Sequence, residues 1–180
     1  MASPNKDLGP CWIIWDEAGD NVIFKKTFGG IFFRFEELTT PVKRDQAGET
    51  HVDEVTIGVT NPEVEAPLTQ EEVAMLIHCF SNSIQVANSL MVKNPVGEAL
   101  LVSAKQLIVK PIVNGNVSET PSEWLYLHRA IPRVAMEQAY DNSGQRTVKV
   151  IFKGFPDDHS GRVGEMWRYG PKIPHALMPH

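Results

Sequence analysis

Cysteine is scarce in this chain of 180 residues: Cys11 and Cys79 are the whole supply, with no CxxC pair and no zinc-ligand spacing. That excludes a disulfide-stapled scaffold and a cysteine-based metal knuckle, and it predicts two buried free thiols, Cys11 opening a strand and Cys79 within a helix. Long apolar runs are missing too. No stretch approaches the roughly 20 residues that a spanning helix needs, and the opening MASPNKDLGPC is too polar for a signal peptide, so the expectation is a soluble protein made in a cytoplasm, with no membrane insertion. Basic clusters are also lacking, which argues against a groove that grips nucleic acid by neutralising phosphates. There is no internal repeat and no composition break, so the length predicts one domain, large enough to bury about two thirds of its unfolded surface.

What is present is β-forming. Residues 11–15, CWIIW, and 22–27 read as a first hairpin around the turn 16–20. After Gly29-Gly30 comes a long run, residues 31–44, with Ile31, Phe33 and Phe35 on one face and Phe32, Arg34, Glu36 and Leu38 on the other. Residues 54–60 alternate as well. Val55, Ile57 and Val59 form a predicted dry face toward the core, and Glu54, Thr56, Gly58 and Thr60 a wet one. Joined through residues 45–53, these two runs make a long hairpin. Glu36, Glu37, Asp45, Glu49, Asp53, Glu54, Glu63 and Glu65 stand against only Lys43 and Arg44 between positions 36 and 65, so this segment carries −6 of the net −5 and the rest is near neutral.

Residues 69–87 read as the one helix: Thr69 as cap, Glu72 completing a capping box, and Val73, Leu76 or Ile77, Phe80 and Ile84 as a stripe for a sheet. Strand signals resume over 99–113, with Pro111 marking an end or an edge. The segment 123–157 then reads as two strands. The first, 124–134, mixes aromatic, branched and basic residues as a strand held on both faces does. In the second, Val148, Val150 and Phe152 oppose Thr147, Lys149 and Lys153, with Ile151 the exception. Asp141-Asn142-Ser143-Gly144 supplies the turn chemistry between them. One more short strand is expected within 163–169. The predicted organisation is an arm over 1–10, a single β-domain over 11–169 and a tail over 170–180.

Residues that invite an enzymatic reading each have a plainer one. Asp157-Asp158-His159 reads as a solvated turn, since three adjacent residues seldom converge on one ion. His175 and His180 lack helical i,i+4 spacing, and neither a GxSxG elbow nor a phosphate loop occurs. No catalytic set, cofactor site or metal site is predicted, and the chain reads as a structural protein rather than an enzyme.

The ordered progression LGPCWIIWD, Gly-Gly and a long strand, RDQAGETHVDEVTIG, the expected capped helix, QLIVKP, WLYLHRAIP and AYDNSGQRTVKVIFKGFPD resembles the tail tube (major tail) proteins of long-tailed bacteriophages, over residues 8–157. The resemblance implies a mainly β fold, a β-sandwich with one flanking α-helix and a long protruding β-hairpin, whose hairpins form a shared inner β-barrel in hexameric rings. Such rings stack into the tube through which the genome leaves. It further implies a virion location in the tail, and as partners the chain itself, the tape-measure protein, the tail terminator and distal tail proteins, with transient non-specific passage of double-stranded DNA. Carried onto this sequence, Glu36, Asp53, Glu54 and Thr56 are the expected lumen-lining residues. Asp45, Glu49, Glu63, Glu65, Trp124, Tyr126 and Arg133 are the expected contacts between rings or subunits. Tubes of contractile tails and of type VI-like injection systems share that fold, and a capsid decoration protein, a tail-completion protein or a ligand-binding β-sandwich remain alternatives.

Overall fold

The computed structural model describes residues 10–27, 30–43, 51–69, 75, 77–80, 83–86, 89–92, 96–97, 99–135, 147–159 and 163–171. The chain is mainly β. Strands β1 (Cys11–Trp15) and β2 (Val22–Phe24) form the expected first antiparallel pair, with Ile13 opposite Phe24. They are followed by β3 (Phe32–Arg34), β4 (Glu37–Lys43), β5 (His51–Val59) and β6 (Glu63–Thr69), and then by the short β7 (Ser83–Val86) and β8 (Ser89–Val92). Strands β9 (Lys105–Val113), β10 (Asn116–Val117), β11 (Leu125–Ala135), β12 (Thr147–Phe155) and β13 (Trp167–Tyr169) complete the set.

The main sheet has the order β2-β1-β9-β11-β12-β6-β3, with β10 on β9 and β13 on β11. It is curled. Thr27, just beyond β2 at one end of that order, bridges to Leu68 of β6 near the other end. Alternation then decides what the curl encloses, because successive side chains of a strand leave opposite faces. Ile13 and Trp15, Val22 and Phe24, Val64, Ala66 and Leu68, Leu107 and Val109, and Val148, Val150 and Phe152 all enter one buried cluster. Phe24 and Phe152 meet inside it with ring centroids 6.0 Å apart. Cys11 and Cys79, neither of them in a disulfide, are buried in the same cluster.

Four sequence expectations need correction. The segment 69–87 is not one helix: Thr69 is the last residue of β6, Ile77, His78 and Cys79 form a 3-10 turn, and Ser83–Val86 is a strand. The alternation Val64, Ala66, Leu68 carries the β pattern through the expected cap, and Ser83 Oγ donates to the Ile77 and Phe80 carbonyls where the turn ends. Glu72, Val73 and Leu76 lie outside the described residues, as do Asp141, Asn142, Ser143 and Gly144. The long run 31–44 is broken at Phe35 and Glu36 into β3 and β4. The run 99–113 begins as a 3-10 turn, Leu100–Ser103, before β9. Of the two readings of Pro111 only the stop fails, since β9 continues to Val113; on the β11 side the proline does lie at an edge, because β11 pairs with β9 only as far as Val109.

The mixed character of β11 has a local cause. Leu127 faces Leu107 and Ala130 faces Lys105, so three steps on β11 match two on β9, and a bulge lies between. Leu127 and Ala130 consequently both reach the core although they are three residues apart.

Candidate functional site

Strands β4 and β5 form a separate two-stranded ribbon, Glu37 opposite Val59 and Pro41 opposite Glu54. Its root is tied by three hydrogen bonds: Thr60 N donates to the Glu36 carbonyl at 2.8 Å, Glu36 N donates to Thr60 Oγ1 at 2.9 Å, and that hydroxyl donates to the same carbonyl at 3.2 Å. Beyond the root the ribbon lies open to solvent over most of its described length. Glu36 to Pro41 and Asp53 to Ile57 are exposed without exception, so side chains on both faces meet solvent.

This overturns the expected dry face, because Val55, Ile57 and Val59 are 49%, 66% and 37% exposed and do not lie on the core. They do not form one stripe either. The register passes from Leu38 opposite Gly58 to Thr39 opposite Thr56, leaving Ile57 as an extra residue in a bulge. Val59, opposite Glu37, and Val55, opposite Thr40, therefore emerge on different faces, since Glu37 and Thr40 alternate on β4. Thr39, Pro41, Glu54 and Thr56 share one face, where the Thr39 hydroxyl donates to Glu54 Oε2 at 3.3 Å. Thr40, Val42, Asp53 and Val55 share the other.

Of the expected lumen residues, Glu54 and Thr56 thus stand together, Asp53 is on the opposite face, and Glu36 sits at the root. Asp45 and Glu49 lie outside the described residues. Glu63 and Glu65 project from β6 into charge pairs within the chain. Glu65 lies 2.5 Å from Lys149 and 2.9 Å from Arg34, and Glu63 lies 3.8 Å from Lys153. The Lys149 hydrogen bond and the two positive charges hold the Glu65 carboxyl below its ordinary pKa, against an opposing effect of burial. Between the root and the main sheet lies a groove of about 630 Å³, lined in part by Phe33, Phe35, Asn61 and Lys153. Phe33 and Phe35 both meet the Trp167 ring edge-on, at 5.1 and 5.4 Å.

Trp124 and Tyr126 come together on a different surface, their rings 6.1 Å apart. Trp124 Nε1 donates to the Ser118 carbonyl, and Lys110 Nζ lies 3.9 Å over the Trp124 ring while pairing with Glu17 at 3.2 Å. Burial, followed by the Glu17 charge, raises the Tyr126 pKa. Arg133 is exposed near the far end of β11, opposite Ile151, and does not join them. Sequence reasoning missed His128, which is buried on β11 with Nε2 3.1 Å from Glu165, and Arg168, which grips the same carboxylate through two bonds of 2.7 Å.

Asp157, Asp158 and His159 offer three ligand atoms within 4.8 Å of one another. Asp157 is buried, so the turn is not solvated throughout as expected; Asp157 Oδ1 meets the His159 ring at 2.6 Å, and Arg129 meets Asp158 at 2.6 Å. Among the described residues no helix is long and apolar enough to cross a membrane. No protein-family model and no curated protein matches this chain.

Proposed function

We propose that this chain is a virion structural subunit that closes into hexameric rings and stacks as the tail tube of a long-tailed bacteriophage, the conduit for genome ejection. In this reading the curled sheet is the β-sandwich body and the β4–β5 ribbon is the long hairpin. The observation that carries it is the ribbon itself: two strands with no further strand partner among the described residues, exposed on both faces. A lone two-stranded ribbon is marginal in water, and each open edge is a template for another strand. Head-to-tail joining of one copy's β4 to the next copy's β5, repeated around a closed ring, pairs every edge.

The polar face with Glu54 and Thr56 then lines the lumen. Negative walls repel the phosphates of a passing duplex, which slides without adsorbing, the reverse of what a binding groove requires. Negative-stain microscopy of the purified protein over a concentration series tests the reading. Rings or tubes are expected, and featureless monomers at every concentration would sink it.

A further inference from the structure

The ribbon's two outer edges lack a free donor at the same rung. Pro41 on β4 faces Glu54 on β5. Proline has no N–H, and the Glu54 N–H is held by Asp53 Oδ1 at 2.8 Å. An N–H engaged by the preceding carboxylate is not the one that crosses to the partner strand, so the Glu54 nitrogen turns outward. A proline nitrogen is tolerated in a paired strand in that same outward direction. In an antiparallel pair of this kind, both residues aim N–H and C=O away from each other. The β4 edge therefore shows a carbonyl with no donor beside it, and the β5 edge shows a donor covered by a side chain that can rotate away.

We propose that this rung selects which edges of two copies join: β4 of one to β5 of the next, and neither β4 to β4 nor β5 to β5. The proposal rests on the ring reading and names the device that gives the ring its direction. A β4-to-β4 seam across this rung contains two prolines and lacks two donors. A β5-to-β5 seam must lift two Asp53 caps and brings Asp53 and Glu54 of both copies together, where like charges across a seam destabilise. The mixed seam contains one proline and one cap, and the Glu54 N–H that leaves Asp53 meets the Pro41 carbonyl of the neighbour. The same arrangement slows joining in the free subunit, because the cap must be lifted first.

Cysteine cross-linking reads the seam directly. Thr40 and Val55 flank the rung and are exposed, while both native thiols are buried. Copies carrying Thr40→Cys and copies carrying Val55→Cys, mixed under mild oxidation, are expected to give severalfold more dimer than either variant alone. Adding Pro41→Thr is expected to raise self-cross-linking of the Thr40→Cys variant severalfold, and Asp53→Ala to speed assembly, each with an unchanged circular dichroism spectrum. Efficient Thr40→Cys self-cross-linking with Pro41 in place would overturn the selection. So would rings whose cross-linking pattern ignores Pro41→Thr, although the ring reading would then stand. No cross-link in any mixture, with no rings on the grid, would remove the ring reading as well.

Discussion

Gly154 donates its backbone N–H to the Pro62 carbonyl at 2.7 Å, and the Pro62 ring occupies the place that a side chain at 154 would take. A Cβ there would stand 2.7 Å from Pro62 Cγ and 3.0 Å from Leu127 Cδ2. Asn61 Nδ2 donates to the Gly154 carbonyl at 2.7 Å, so the turn between ribbon and β6 is clasped onto β12 at this one residue.

Gly154→Ala should therefore strain the clasp, because Pro62 is fully buried and rigid and has little room to retreat. Overpacking of this kind costs about 1–3 kcal/mol. Urea unfolding of the variant should show a lower midpoint at unchanged slope. An unaltered midpoint would mean that Pro62 moves freely.

Glu65 predicts an acid-sensitive contribution to stability. Its folded pKa lies below the ordinary value of 4.5, chiefly through the Lys149 hydrogen bond. A depressed carboxylate stabilises above its unfolded pKa, and that gain is lost as pH falls through the folded pKa. Glu65→Gln should lower Tm at neutral pH, with the difference from the parent chain shrinking as pH falls below about 4.5. Lys149 and Arg34 are partly exposed, so added salt should also narrow the gap. A Tm difference that is flat across pH 3 to 7, measured by calorimetry, would contradict this assignment; that window is set by the usual carboxylate range of about 4.

The sequence made the core strands legible and concealed three other things. Val148, Val150 and Phe152 alternate because one face of β12 is fully buried, whereas Leu107, Ile108 and Val109 of β9 are all buried and mask the alternation there. The bulges are silent in the pattern: the extra residue at Ile57 re-aims Val55 and Val59, and the one between Leu127 and Ala130 puts two side chains spaced by three onto the same face. Position 69 was ambiguous for a different reason. A threonine before glutamates suits a helix cap as well as the end of a β-strand, and the strand wins because β12 already pairs with Thr69 through Thr147. Charge pairing across strands was also invisible: Glu65, expected at a contact between rings or subunits, is paired with Lys149 and Arg34 within the chain.

The two thiols should be chemically quiet in the folded chain. Burial pushes the Cys79 pKa up to about 12 and raises that of Cys11, so little thiolate exists at neutral pH. A colorimetric thiol reagent should react slowly with native protein and rapidly with both cysteines in denaturant. Fast labelling of native protein would show that the 3-10 turn carrying Cys79 opens readily.

Reversing the charge of the ribbon tests the lumen assignment. Glu36 and Glu54 are exposed, and among the described residues their carboxylates take one side-chain hydrogen bond, from Thr39 to Glu54 at 3.3 Å, so Glu36→Lys with Glu54→Lys should leave the subunit folded and assembly intact. A lysine at Glu54 on the lumen face, joined by one at Glu36 at the ribbon's root, attracts phosphates instead of repelling them, and the attraction weakens as salt rises. Particles with the double variant should assemble to normal length and eject DNA slowly at low salt, with partial recovery at high salt. If they assemble and eject at the parental rate throughout, the acidic face does not line the channel.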